Sequence, residues 1–315
     1  MSISLAAGSP APALPPQPLT VQPAPVVPPA PADTPLPPWV TATLLAWLAA
    51  AIATAAALRV FRRRSIAGPA RLAPRQSAFS LLLIFFVGCG AMFIALLFAR
   101  FANVKTFTAM LLFSSLAELL GVATMLALLH ATGSARRLGV AASQLPRGLL
   151  VGVGAMAVLF PIVAATSQLT IALLHWAGQP LPPPHPVLEA LGGSHDKFAM
   201  AVDVITAVIF APLAEEMAFR GVLQTVLSRM FATMLMGRSV DSPRDTVLAR
   251  WLAVLVTAGC FAAVHGVAAF VPPLFALAIG LGYVYERTGN LWCTVAMHAL
   301  FNGFEIALFL SPLGR

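Results

Sequence analysis

Two adjacent carboxylates and an arginine stand in an otherwise apolar stretch. In "FAMAVDVITAVIFAPLAEEMAFRGVLQ" (198–224), Glu215, Glu216 and Arg220 are the only charged residues besides Asp203. Each charged side chain at mid-helix costs about 2.5–3.5 kcal/mol on insertion scales. Three within six residues must therefore face protein or a water-filled cavity rather than lipid. Glu216 and Arg220 are i,i+4 with the acid on the N-terminal side, the favourable order for a helical ion pair. Glu215 lies about 100° round the helix from Glu216 and is left without that partner. A carboxylate withdrawn from bulk water but reached by a single water molecule is suited to general-base chemistry. The alternative is a polar cluster that pins the helix to its neighbours.

Two later stretches decide between these readings. "FAAVHG" sets Phe261 and His265 one helical turn apart, and "MHALFNGFE" places His298, Asn302 and Glu305 on one face at i, i+4, i+7. Either histidine alone suits a core position. Acid, imidazole and amide groups converging from three separate segments supply a water-activating carboxylate, proton-transfer groups and donors for an oxyanion. That set is the equipment of a hydrolase acting on an acyl group. A non-proteolytic transporter or scaffold could use the same cluster as a proton relay or lipid-binding site. A relay, however, strings ionisable groups along a path, and no internal repeat of the kind many transporters carry is visible.

Long apolar helices must position these groups. Of 315 residues, 59% are hydrophobic and 10% charged, against roughly a quarter charged in soluble proteins. Most of the chain therefore has lipid as its solvent. The formal charge of +8 does not signal nucleic acid. No basic groove interleaved with aromatics is present, and the arginines cluster between apolar runs as in the loops of membrane proteins. Eight spans are expected, at about 39–61, 79–99, 107–131, 148–176, 198–220, 251–270, 272–286 and 290–311. The fold class is an all-α, polytopic membrane helix bundle. Residues 1–38, a Pro/Ala tract with Asp33 as its only charge, read as a flexible tail and not a signal peptide. Residues 39–147 form the N-terminal transmembrane helices, and 148–311 form the core that carries the polar cluster.

With the tail outside, the cytoplasmic loops collect fourteen of the 19 lysines and arginines, which sets the orientation. Pro161 predicts a kink in the fourth span, and Pro272-Pro273 predict the turn out of the sixth. His298 lies about 12 Å into its span and His265 about 20 Å into a span counted from Trp251. They meet if the sixth helix starts near Asp245 instead. The segment 224–250 is basic and partly amphipathic, as in a helix lying on the membrane surface.

Other polar residues have quieter readings. Glu118 in the third span is expected to make a packing hydrogen bond, and Asp203 and Glu305 are expected to be structural. Glu286 and Arg287 are expected to snorkel at the boundary. His175, His185 and His195 belong to a solvated Pro-rich loop. Cys89, Cys260 and Cys293 sit in apolar runs with no paired spacing and read as small core residues.

The pattern Glu-Glu-x-x-Phe-Arg-Gly-x-Leu (Glu215, Glu216, Phe219, Arg220, Gly221, Leu223) precedes Phe261-x-x-x-His265. The segment "GLGYVYERTGNLWCTVAMHALFN" then ends on His298-x-x-x-Asn302. Over about 198–305 the chain resembles the CAAX-processing and bacteriocin-processing (CPBP, or ABI) intramembrane endopeptidases. The resemblance implies hydrolysis of peptide bonds in membrane-associated proteins or peptides, of CAAX type or in peptide maturation. It implies that Glu215 activates water with help from His265, that His298 and Asn302 hold the oxyanion, and that Glu216 and Arg220 form a supporting pair. No cofactor is expected; the alternative is a zinc ion on Glu215, His265 and His298. The expected partners are membrane lipid and a membrane-associated substrate, without nucleic acid. The expected place is the plasma membrane if the chain is prokaryotic, with the active site towards the cytoplasmic leaflet.

Overall fold

A computed structural model describes residues 78–101, 107–180, 186–193, 196–236 and 243–311, together with Leu48 and Ile52. The Pro/Ala tract, the expected span at 39–61, His185 and His195 lie outside the described residues. Among those described, the secondary structure is helical throughout, with no strand. Five helices are long and apolar enough to cross a membrane. Two others have shorter apolar described stretches, Phe79–Gly88 and Ser115–Ala131.

Helices α1 (Ala78–Phe101) and α2 (Phe107–Ala131) pack as a pair. The one-turn α3 (Ala135–Leu138) closes on Gly139, whose φ of +80° only glycine adopts without strain. The same glycine carbonyl accepts the amide of Leu291 at 3.1 Å. Helix α4 (Leu145–Trp176) runs through Pro161 without a break in its assignment. It lies against α9 (Leu291–Leu310) along Gly148 and Gly152, one turn apart. A methyl group on Gly152 would come within 2.6 Å of the Cys293 carbonyl oxygen. The small side chains thus allow backbone-close contact between membrane helices.

After the short α5 (Pro186–Gly193), one long helix, α6, spans 197–236. Asp196 caps it, with Oδ1 accepting from the Phe198 amide at 2.9 Å. Two π-helical segments, Thr206–Phe210 and Met217–Gln224, interrupt its α geometry on either side of Ala211–Glu216. The expected span at 198–220 therefore does not end there. No Gly-Pro or Pro breaker follows Gln224, and the helix absorbs its polar residues by widening and continues through Thr225–Met236.

Helix α7 begins at Pro243, close to the start that the depth argument required, and runs to Val264. The turn comes earlier than the prolines suggested. Gly266 at φ +72° breaks the chain just after His265, and a 3₁₀ turn at Ala268–Phe270 follows. Pro272 and Pro273 instead occupy the first turn of α8 (Val271–Thr288), where their missing N–H groups have no intrahelical partner to lose. Gly289 at φ +57° ends α8, and Asn290 caps α9.

Burial is the reverse of a soluble protein's. Phe79, Phe98, Leu150 and Trp176 are more than 70% exposed, whereas Glu216, Arg220, Gln224, Glu286 and Thr294 are fully enclosed. The outer apolar surface is what a bilayer solvates, and the polar groups must satisfy each other inside. One core cluster (Leu81, Val122, Met125, Leu138, Met217, Tyr285) joins α1, α2, α3, α6 and α8. A second (Met156, Leu159, Leu277, Met297) joins α4, α8 and α9.

Candidate active site

The site grows from the middle of α6. Glu215 and Glu216 close its central α segment, and Arg220 lies in the π segment that follows. Arg220 Nη1 donates to Glu216 Oε1 at 2.7 Å, and neither side chain has any exposure. This is the i,i+4 pair that the spacing suggested. The same Glu216 oxygen is 3.0 Å from His298 Nδ1. A carboxylate only accepts, so the imidazole donates there and its ring orientation is fixed. His298 Nε2 then points at Glu215, 3.9 Å from Oε2. That gap exceeds a hydrogen bond. Glu215 Oε2 has no hydrogen-bond partner, although it is buried. The two neighbouring acids therefore differ sharply: Glu216 is sealed, while the Glu215 side chain is 33% exposed.

Phe261 is the hub. Its ring is fully buried, with the Arg220 guanidinium carbon 4.5 Å above its centroid. Phe219 meets it edge-on at 5.2 Å, and the imidazoles of His265 and His298 lie 4.8 and 5.6 Å from its centroid. Both histidines thus flank a single aromatic ring. His265 sits just past the end of α7 and donates from Nδ1 to the Phe261 carbonyl at 2.7 Å. A carbonyl oxygen only accepts, so a neutral His265 has its Nε2 lone pair uncommitted.

Asn302 follows His298 by one turn of α9. Its Nδ2 donates to the Ala207 carbonyl at 2.8 Å, within the first π segment. One Nδ2–H remains for another acceptor. Glu215, Glu216, Arg220 and His298 thus make a contiguous chain. His265 joins it through Phe261, and Asn302 joins it from the next helical turn.

The depth of His298 is set at the start of α9. Asn290 Oδ1 accepts from the Trp292 amide at 3.0 Å, and its Nδ2 donates to the Gln144 carbonyl at 2.9 Å. Trp292 Nε1 donates to the Ala141 carbonyl at 3.1 Å. Tyr285 adds a bond from its hydroxyl to the Leu138 carbonyl at 3.1 Å. Below Arg220, Gln224 Nε2 donates to Glu286 Oε1 at 2.8 Å, and Arg250 Nη1 donates to Glu286 Oε2 at 3.0 Å. Glu286 is therefore no snorkelling boundary residue. It is a buried clamp between α6, α7 and α8, and Arg250, 36 positions away in sequence, carries the charge that allows it.

Sequence reasoning passed over this clamp and also the surroundings of Glu118, whose Oε2 is buried without a partner. A lone acid in a span was the available signal for Glu118. Asp203 is buried, with Oδ1 likewise unpartnered. Cys260 and Cys293 are free thiols.

His298 Nδ1 is committed to Glu216 and His265 Nδ1 to a backbone carbonyl, the pattern that leaves Nε2 of each ring as the nitrogen a zinc ion would use. Among the described residues, no three or more His, Cys, Asp or Glu side chains gather as metal ligands.

The described chain is thus all-helical, with five helices long and apolar enough to cross a membrane, and it sets a carboxylate and an imidazole facing each other across a 3.9 Å gap. Residues 197–304 match the family model of the type II CAAX prenyl endopeptidase Rce1-like proteins. Over that segment the chain is similar to the CAAX-type endopeptidases of the CPBP family, and the match implies a peptide hydrolase. No curated protein and no solved structure matches the chain.

Proposed function

We propose that the protein cleaves peptide bonds near the ends of membrane-delivered proteins or peptides, with Glu215 as the base that activates water. The reading rests on the contrast within the Glu215-Glu216 pair. Each acid has an unbonded Oε2, but Glu216 is enclosed and bonded through Oε1 to Arg220 and His298, whereas the Glu215 side chain is 33% exposed. A water beside the 3.9 Å gap reaches both Glu215 and His298. Glu215 takes the proton as the water oxygen attacks the scissile carbonyl, and His265 assists through its uncommitted nitrogen. His298, its ring held at Nδ1 by Glu216, turns Nε2 towards the developing oxyanion. The second amide hydrogen of Asn302 is a donor to it. Arg220 compensates the charge of Glu216, which lets Glu216 orient the imidazole without competing for the water.

The water is activated in this scheme without a metal. The site serves the cytoplasmic leaflet, the side on which the basic loops are expected to gather, and the membrane is the plasma membrane if the chain is prokaryotic. The substrate class is a protein or peptide held at the bilayer by a lipid chain or an apolar segment. A prenylated CAAX peptide is the first probe to use.

The test is cleavage of that peptide by purified enzyme in proteoliposomes. Glu215→Gln lowers turnover on the order of 10³-fold while the thermal midpoint holds. A folded Glu215→Gln enzyme with normal turnover would overturn the reading. Wild-type activity is unchanged by a chelator; its loss, restored by added zinc, would replace the metal-free scheme.

A further inference from the structure

Glu118 belongs to α2, outside the matched segment 197–304, and the scheme above does not use it. Ser115, Glu118, Val122 and Met125 share one face of that helix at i, i+3, i+7, i+10. Ser115 binds Thr206 hydroxyl to hydroxyl at 2.7 Å, which fixes α2 against the first π segment of α6. Val122 and Met125 lie in the core cluster against which Leu213 and Ala214 pack. Helix α2 therefore lies along Ala211–Glu216, and Glu118 faces the α segment that ends in the two acids.

The side chain is half-buried, with Oε2 enclosed and unpartnered. The charged group acting on it is Glu215. Asp203 and Lys197, on the same helix as Glu215, are about 18 Å or more away along the axis from that acid. Glu215 in turn faces His298 from α9 and lies within electrostatic reach of Arg220. A carboxylate kept only for packing would be capped by donors, as Glu286 is by Gln224 and Arg250. Glu118 Oε2 has no such cap. Glu118 thus supplies a second carboxyl group within electrostatic reach of Glu215, the acid on which Arg220 also acts.

We propose that Glu118 is the general acid of the reaction, delivering its proton to the departing nitrogen. The proposal rests on the reading of Glu215 as base. Glu215 removes a proton from water as the water oxygen bonds the carbonyl carbon. The tetrahedral intermediate then collapses, the C–N bond breaks, and the Glu118 carboxyl gives its proton to the nitrogen. The products are a carboxylic acid and an amine. Glu215 is left protonated and Glu118 ionised, and passage of one proton from Glu215 to Glu118 restores the starting state.

The experiment compares two substrates with full-length enzyme in proteoliposomes. One is the prenylated CAAX peptide; the other is the same peptide with a thioester at the scissile position, whose thiolate leaves without needing a proton. Glu118→Gln is expected to lower kcat on the amide about 100-fold or more and on the thioester by less than about 3-fold, because only the amide requires the acid. Equal losses on both substrates, or no loss on either, would overturn the proposal. Glu118→Asp retains a carboxyl with a shorter reach, and its ratio of thioester to amide turnover is expected to fall between those of wild type and Glu118→Gln. Equal losses on both substrates in that variant would also overturn the proposal, and this readout serves if the Gln variant does not fold. Glu215→Gln is expected to abolish turnover of both substrates. If it does not, the base assignment fails first, and the two failures are told apart.

Discussion

The molecule encloses two carboxylate–arginine clusters that look alike on paper and differ in how they close. In the first, Glu286 has both oxygens occupied, one by Gln224 and the other by Arg250, and only Gln224 Oε1 is left unbonded. In the second, a single oxygen of Glu216 takes both Arg220 and His298, while Arg220 Nε and Nη2 have no hydrogen-bond partner. The adjacent Glu215 and the facing Glu118 each retain an unbonded carboxylate oxygen. A closed polar network rigidifies a core, whereas an open one is energetically strained until something completes it. The Glu286 cluster links three helices, and the Glu216 cluster keeps unbonded polar atoms that a water and a substrate complete in the proposed reaction. Glu286 and Glu216 are equally buried; the bonding and exposure of the groups around them is what separates the two clusters.

The sharpest way to break this comparison is at the acid that meets water. Glu215→Gln removes the base without changing shape, and kcat/KM is expected to fall on the order of 10³-fold with no change in the thermal midpoint. A matching fall in stability would place Glu215 in the closed class. Next comes Arg220→Met, which leaves Glu216 buried without its cation. Losing one partner of a buried pair costs about 3–5 kcal/mol, readable as a lowered unfolding midpoint in detergent. Adding Glu216→Gln to that variant is expected to recover much of the stability and none of the activity.

In the closed cluster the expected signs reverse. Glu286→Gln weakens two buried bonds and is expected to cost about 1–3 kcal/mol, while turnover per folded molecule stays near wild type. A selective drop in kcat there would show that the clamp also shapes the site. The smallest effect is expected from Tyr285→Phe, which removes the bond to the Leu138 carbonyl. It should lower stability by about 1 kcal/mol, measured by the same unfolding curves, with kcat and KM unchanged.

Much of the site was legible because its parts are local in sequence. The Glu216–Arg220 pair follows from i,i+4 spacing, and Phe261 and His265 follow from the same rule. The lengths of α1, α2, α4 and α9 follow from uninterrupted apolar runs. What sequence could not give was each contact between distant segments. Glu286 looked like a boundary residue because its partners, Gln224 and Arg250, lie 62 and 36 positions away. The turn after α7 was misplaced because two prolines were read as a break. They start a helix, and Gly266 makes the turn. The continuation of α6 to Met236 was missed because a polar, basic stretch was read as the end of a span. The extra width of the π segments let it go on.

Those two π segments give α6 an unusual dependence on residue count. A π turn accommodates one residue more than the α turn it replaces, and each residue rotates the helix surface by about 100°. The direction in which Glu215 points is therefore set by chain length between Thr206 and Phe210 as much as by side-chain identity. Removing a single residue from that interval would swing the acid away from His298 and Glu118 while leaving every motif letter in place. Two chains with the same signature but different spacing upstream of it need not share an activity, and an aligned gap at this point is as telling as a lost glutamate.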